Sequence, residues 1–215
     1  MIYIVIPSLN EKLFLINLID LLYKQSYQEF KIIVSDNGSS DGTHSTIERN
    51  YPKVKLICND SSFWWTKSTN EGVKYALKHS KSDKDYILTI NCDTTIKNNY
   101  LENLFSCAKQ NPNSIIGSVN VDIDSNLITF GGSLIANKLT AKYNHLNLYS
   151  LYGSSLQNSE TDFLPGRGTL IPIKIFRKIG FYDEMLPHYS ADYEFSYRSK
   201  NNNTKLIVNY DSPVF

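Results

Sequence analysis

Short apolar runs closed by turn residues alternate with longer stretches in which apolar side chains recur every three or four positions, and the first hundred residues repeat this unit four times. Runs of the first kind read as strands buried on both faces and the stretches between them as helices, so the pattern predicts a mostly parallel sheet with helices on both sides. Residues 2–6 form the first strand, and 11–25 a helix with Leu15, Leu18, Ile19 and Leu22 on one face. A second strand over 30–35 leads through Asp36-Asn-Gly-Ser-Ser-Asp41-Gly42 to a helix starting near Asp41. Residues 53–58 and 86–91 are the third and fourth strands, followed by helices over 67–78 and 97–110, the latter ending at Asn111-Pro112-Asn113.

Beyond Pro112 the alternation breaks down. Residues 115–121 and 128–135 read as strands, 145–160 as polar and irregular, 173–179 and 191–200 as helices, and 205–209 as a last strand. No linker interrupts the chain, so it is expected to be one domain over 1–215, an α/β half to residue 110 followed by a mixed half.

Composition narrows the classes. The chain has 215 residues, 41% hydrophobic and 20% charged, enough to bury a core. The formal net charge is +1 and no segment is crowded with Lys and Arg, which argues against a nucleic-acid partner. Cys58, Cys92 and Cys107 make an odd count without CxxC spacing, which disfavours a disulfide framework or zinc knuckle and suits a reducing compartment. The amino terminus has no basic segment, and the longest apolar-rich stretch, 13–23, is too short to span a membrane.

In open α/β sheets ligands bind beyond the carboxyl ends of the strands. Here those ends carry Ser8, Asn10 and Glu11, then Asp36, then Asn59 and Asp60, then Asn91 and Asp93. The set is acidic. The loop of residues 7–12 has no glycine and no GxxxxGK[ST] occurs, so neither a dinucleotide fold nor a P-loop is indicated. Carboxylates at such ends can accept hydrogen bonds from a base or ribose and can ligate a hard divalent cation bridging phosphate oxygens. The structural alternative for Asp36 and Asp41 is an Asx-type turn and a helix cap.

Four segments in register then carry a resemblance. Ile4-Val-Ile-Pro-Ser-Leu-Asn10, Val34-Ser-Asp-Asn-Gly-Ser-Ser-Asp-Gly-Thr43, Leu88-Thr-Ile-Asn-Cys-Asp93, and Ile179-Gly-Phe-Tyr-Asp-Glu184 with Ser190-Ala-Asp-Tyr-Glu-Phe-Ser-Tyr-Arg198 resemble the successive motifs of family 2 glycosyltransferases of the GT-A fold. The resemblance implies inverting transfer of a sugar from a nucleotide donor, UDP or dTDP, to an acceptor hydroxyl in bacterial glycan synthesis. By the same resemblance Pro7, Ser8, Glu11 and Asp36 belong to the nucleotide-sugar site, and Asn91-Cys92-Asp93 matches the DXD segment, with Asp93 ligating Mg2+ or Mn2+. Asp192 matches the general base, with an ordinary carboxylate pKa sufficing, while Gly166-Arg167-Gly168 falls where the family lines donor sugar and acceptor. The acceptor is expected to be a glycan or lipid-linked glycan, handled by a cytoplasmic protein at the inner membrane face.

Two aromatic neighbours extend the site. Trp64 and Trp65 follow the third strand, where Trp65 can stack on base or sugar and Lys67 can meet a phosphate; the alternative is that one tryptophan packs in the core. His188, close to Asp192, is a candidate acceptor contact beside its structural alternative next to Pro187.

The chain departs from the family pattern in places. Asn91 replaces the first acid of the DXD, Leu9 stands where an aromatic is common, and Ala191 where a Glu often precedes the base. The chain also reaches Phe215 before the metal-binding His that many relatives place after the last strand: either the protein manages without it or the sequence is truncated. The main rival is a GT-A-like domain that binds a nucleotide sugar or glycan without turnover. A haloacid-dehalogenase-like phosphatase would need an acid at Asn91, and a glycosidase using Asp183 and Asp192 would leave the Asp36 loop unexplained.

Overall fold

A computed structural model describes residues 1–137, 140, 142–153 and 156–215. Four parallel strands, β1 (Ile2–Ser8), β2 (Phe30–Asp36), β3 (Lys55–Cys58) and β4 (Tyr86–Thr89), open the sheet. After them come β5 (Ile115–Val121), β6 (Ile128–Phe130), the hairpin strands β7 (Ser133–Asn137) and β8 (Lys142–His145), then β9 (Ser159–Glu160), β10 (Thr169–Pro172) and β11 (Leu206–Val214). The main sheet has the order β3-β2-β1-β4-β10-β5-β11-β9, with β6 on β5, and β7–β8 stand apart as a two-stranded sheet. β5 and β11 are parallel to each other, whereas β10 is antiparallel to both its neighbours.

Strand pleating sorts the core into two layers. In β1, Ile2, Ile4 and Ile6 face one cluster and Tyr3 and Val5 the other. The helices are α1 (Lys12–Tyr23), α2 (Thr43–Asn50), α3 (Trp65–His79), α4 (Tyr100–Gln110), α5 (Ile173–Ile179) and α6 (Ala191–Asn201). Leu15, Leu18, Ile19 and Leu22 of α1, Ile47 of α2 and Leu101 and Leu104 of α4 cover the first face. Val73 and Ala76 of α3, Ile175 and Phe176 of α5 and Phe195 of α6 cover the second. The chain thus has the α/β architecture with a mostly parallel sheet and helices on both faces.

The second half differs from its sequence pattern in three places. The apolar run 128–135 is two strands, because Gly131 and Gly132 redirect the chain between β6 and β7; Gly132 has φ +110°. The last strand runs on to Val214 through a register shift after Asn209, so the polar residues Asp211 and Ser212 and the ring of Pro213 hide strand that packs beside α4. Most consequential is β10, four buried residues assigned to no element in the sequence, which sits at the sheet centre between β4 and β5. Its shortness and terminal Pro172 conceal it, since Pro lacks the N–H of a central strand residue. The stretch 145–160 is irregular until β9, and residues 154 and 155 within it lie outside the described residues.

Candidate active site

The loops after β1, β2, β3 and β4 meet at one edge of the sheet around a cleft of about 260 Å³. Pro7, Ser8 and Glu11 line it from the first loop, Asn91, Cys92 and Asp93 from the fourth, and Trp64 and Trp65 from the start of α3. The Ser8 hydroxyl is buried there without a hydrogen-bond partner, although an –OH so placed normally finds one.

Asp36 lies behind this wall. It is fully buried, and its Oδ2 accepts from the backbone N–H groups of Gly38 (3.1 Å) and Ser39 (2.9 Å) and from His44 Nε2 (2.7 Å), while Oδ1 accepts from Ser39 Oγ (2.5 Å). An ionised carboxylate can only accept, so His44 carries a proton on Nε2, and its Nδ1 lies 3.7 Å from Cys58 Sγ. Asp36 is absent from the cleft lining, whereas its neighbour Asn37 is part of it. The Asn37 amide donates to the Phe63 carbonyl (3.0 Å) and its N–H to Ser8 (2.9 Å), so the Asp36 loop shapes the wall next to Ser8. Asp41 joins the starts of two helices, accepting from Lys12 N (2.9 Å) and from Thr43 N (3.1 Å) and Oγ1 (2.6 Å). Partial burial opposes its charge, but these donors hold its carboxyl below the usual range. The helix itself starts at Gly42, in the left-handed region, with no side-chain cap.

The exit of β4 is built from three unlike side chains. Asn91 Oδ1 accepts from Trp65 Nε1 at 2.9 Å, which fixes the indole between the two halves of the site. Cys92 is buried and donates its thiol to Glu11 Oε2 at 2.7 Å; burial, then the Glu11 carboxylate, pushes its pKa far up, so it stays a neutral thiol. Asp93 is exposed and its carboxylate accepts no hydrogen bond from the described residues. No group of three or more His, Cys, Asp or Glu among the described residues could hold a metal unaided. A lone free carboxylate does suit Mg2+ or Mn2+ whose other ligands are water and substrate phosphate oxygens, the usual way such ions bind at phosphate sites.

Beyond Trp65 a second hollow, also about 260 Å³, continues the cleft and shares Trp65, Asn91 and His188 with the first. Asp192 opens into it from the first turn of α6. Its Oδ2 accepts from Gly166 N (2.9 Å) and its Oδ1 from Tyr193 N (2.9 Å). Burial raises its pKa above the ordinary value despite those donors, a direction that the sequence reading, which required no large shift, did not anticipate. Gly166 is needed for close approach: a Cβ there would fall 2.2 Å from the Trp65 ring. Arg167 lines the hollow with its guanidinium held by the Phe215 carbonyl (3.1 Å) and Thr94 Oγ1 (3.3 Å). His188 stands edge-on to Trp64, with ring centroids 5.6 Å apart, on a loop pinned by Thr66 to the carbonyls of Leu186 (2.5 Å) and Pro187 (3.1 Å).

Besides Asp36, two candidates fall outside these hollows. The Lys67 amine lies over the Phe63 ring, 3.8 Å from its centroid, and Lys67 is not among the lining residues. Gly168, at φ +82°, packs under the site, where a Cβ would meet Ser118 Oγ at 2.7 Å and Tyr100 Oη at 2.8 Å. Asn70, in the segment after the tryptophans, brackets residue 182 by donating to its carbonyl (3.0 Å) and accepting from its N–H (3.1 Å), so that segment fastens the loop preceding α6. Trp64, which the sequence reading set beside Trp65, is 60% exposed in the first hollow, whereas that reading overlooked Asn120, whose Oδ1 is buried beside the second without a partner among the described residues. Trp64 was legible as the neighbour of Trp65. Asn120 was not, being one polar residue inside a buried strand.

The model of the family described as "Glycosyl transferase family 2" matches residues 3–180 of the chain. The chain belongs to that family. Among solved structures, this family 2 member resembles GalNAc-T7, in a structure with UDP, GalNAc and Mn2+, at 15% identity and a TM-score of 0.77 over 100% of this chain and 43% of that one. Two structures of Staphylococcus aureus TarS align at TM-scores of 0.67, with 16% and 18% identity over 99% of this chain and 36% and 59% of theirs. At these identities the likeness establishes the GT-A fold, and the chain spans about a third to three fifths of the relatives' lengths. No curated protein matches its sequence. No helix among its described residues is long and apolar enough to cross a membrane.

Proposed function

We propose that the chain transfers a sugar, with inversion, from a UDP- or dTDP-linked donor to an acceptor hydroxyl during bacterial glycan synthesis at the cytoplasmic membrane face. One observation carries this reading. Asp93 and Asp192 open into adjoining hollows of a single cleft, the first free and exposed, the second partly desolvated, with the Trp65–Asn91 pair between them. Inversion needs that division: a base on the acceptor side and charge compensation at the leaving diphosphate on the other.

The nucleotide occupies the first hollow, where the exposed Trp64 indole offers a stacking face and Ser8 an unspent hydroxyl. Asp36 acts through its loop, holding Asn37 at the wall. Asp93 would hold Mg2+ or Mn2+ together with the diphosphate oxygens, and the bound ion offsets the charge that develops there. Trp65 and Gly166 set the distance between the hollows. Asp192 takes the proton of the acceptor hydroxyl as its oxygen bonds to the anomeric carbon and the bond from that carbon to the diphosphate oxygen breaks. Gly166 N–H keeps one oxygen of Asp192 aimed into the hollow. The raised pKa makes its ionised form a better proton acceptor than an ordinary carboxylate.

The deciding experiment is a thermal-shift screen of UDP, dTDP, GDP and CDP and their common sugars, each with Mn2+, Mg2+ or EDTA. A metal-dependent rise with one nucleotide supports the donor side, and loss of transfer in Asp192→Asn with nucleotide binding retained supports the base. Binding without hydrolysis or transfer with any acceptor would make the chain a nucleotide-sugar-binding domain.

A further inference from the structure

The α6 helix carries a second, tyrosine-bearing face besides the one it buries. Ala191, Phe195 and Ser199 are buried against the sheet. Ser190, Tyr193, Glu194 and Tyr197, at the i, i+3, i+4, i+7 spacing of a single helical stripe, instead line a third hollow of about 310 Å³. Its opposite wall is the separate β7–β8 hairpin, through Ile135 and Tyr143, and its floor is Phe163. The aromatic groups are organised: Phe163 stands edge-to-face with Tyr143 (5.2 Å, 89°) and with Tyr193 (5.4 Å, 63°). Yet Tyr143, Tyr193 and Tyr197 remain 44%, 42% and 39% exposed, leaving ring surface and hydroxyls open to the hollow.

Charge and position say what fits. Glu194, the one acid lining the hollow among the described residues, is neutralised by Arg198 through Nε (2.7 Å) and Nη2 (2.8 Å), and no described Lys or Arg lines it. A surface of tyrosine faces with hydroxyl rims and no free charge matches a ring that presents C–H bonds on its face and hydroxyls at its edge. The hollow adjoins the reaction site directly: residues 189 and 192 line the Asp192 hollow and residues 190 and 193 line this one, so the two open on neighbouring faces of the start of α6.

We propose that this hollow is a second acceptor subsite, binding a neutral pyranose one unit away from the sugar whose hydroxyl meets Asp192, so that the acceptor is an extended glycan of two or more units. The inference rests on the transfer reading given above. The hairpin is anchored as a stationary wall: Ile135 N donates to Asp162 Oδ2 (2.7 Å), and Ser133 N to Thr161 Oγ1 (2.8 Å). The β7–β8 hairpin therefore selects acceptor length, and Tyr143 and Tyr193 are its specificity-determining rings.

The test measures saccharide binding by saturation-transfer NMR on the whole chain. The probes are cellobiose, maltose, lactose and N,N′-diacetylchitobiose, with methyl β-glucoside and octyl β-glucoside as controls, against the parent, Tyr143→Ala and Tyr193→Ala. Both tyrosines are exposed enough to be truncated without opening the core, and circular dichroism together with the UDP–Mn2+ thermal shift checks each variant. The expected result is that at least one disaccharide binds the parent, binds about tenfold more weakly in each variant, and outcompetes methyl β-glucoside. Disaccharide binding unchanged in both variants, or no disaccharide binding while UDP–Mn2+ still stabilises the protein, overturns the subsite alone. Tyrosine-dependent binding of octyl β-glucoside but of no disaccharide makes the occupant an alkyl chain and also overturns it. Loss of every nucleotide shift in the parent sinks the transfer reading instead, whatever the saccharides do.

Discussion

The two walls of the cleft are built on opposite principles. Around the first hollow most polar groups are fastened to one another: Asp36 has four donors, Cys92 donates to Glu11, and Asn37 is held at both side chain and backbone, which leaves the Ser8 hydroxyl and the Asp93 carboxylate open among the described residues. On the acceptor side Met185, Tyr189, Tyr193 and Tyr197 stand exposed, and the loop before α6 is tied mainly through Thr66 and Asn70 of α3. A wall satisfied by its own hydrogen bonds holds one shape for a ligand of constant chemistry, since breaking any bond would strand a buried polar group. A wall of exposed rings can change its sequence with little effect on the core, and suits the substrate that differs from enzyme to enzyme.

The contrast is broken most severely at the point where the walls meet. Asp192→Asn should lower transfer by about 10²- to 10⁴-fold, the range for a lost general base, with UDP–Mn2+ binding retained. The same change should leave the melting temperature at pH 7 equal or higher. Because burial raises the folded-state pKa of Asp192 above its unfolded value, the protonated form is favoured by folding, and this group's stabilising contribution is lost as pH rises from the ordinary carboxylate range through the raised value. The ionised parent bears that cost and an amide does not. A clear fall in melting temperature would show that the charge is compensated in the fold.

Next in size is Gly166→Ala, which sets a methyl group against Trp65 and should destabilise by about 1–3 kcal/mol, the usual cost of overpacking. Since Trp65 is hydrogen-bonded to Asn91, tryptophan fluorescence should change along with the nucleotide shift. Unaltered fluorescence would mean the indole does not couple the hollows. His44→Ala removes one donor from the buried Asp36 and should cost about 1–3 kcal/mol by chemical denaturation, with weaker nucleotide binding as the loop loosens. Full stability in this variant would show that the nucleotide wall is less tightly fastened than its hydrogen bonds imply.

Two finer measurements sharpen the picture. The acid limb of kcat/KM against pH should lie above the usual carboxylate range and vanish with Asp192, because only the ionised base accepts a proton; a limb at about 4 would remove burial from the account. The smallest effect is expected for Asn91→Asp. A carboxylate oxygen still accepts from Trp65, so the fold should persist while Mn2+ dependence steepens, nucleotide binding becoming tighter with the ion and weaker in EDTA.

Much of this was legible in the chain. The first four strands and their helices follow from local periodicity, because each βα unit buries its own apolar face, and the segments at their ends announce the family. Legibility fails where a residue's partner is far along the chain. β10 is four residues long and becomes a strand only because β4 and β5 supply hydrogen bonds on both sides. Asp36 reads as a ligand-facing acid until the loop folds back and spends its oxygens on Gly38, Ser39 and His44. Asn91 reads as a weakened acid, whereas the fold uses its carbonyl to hold an indole.

By itself, then, the sequence determined the α/β class, the motif order and which carboxylates could serve chemistry, since these depend on residue type and short spacing. Only the tertiary structure decided which of those carboxylates is free, which is spent and which is desolvated. It also decided that a helix stripe of tyrosines faces a hairpin from a distant part of the chain. Hydrogen-bond satisfaction and burial belong to the packed surroundings of a group, and those surroundings come from residues that sequence proximity does not bring together.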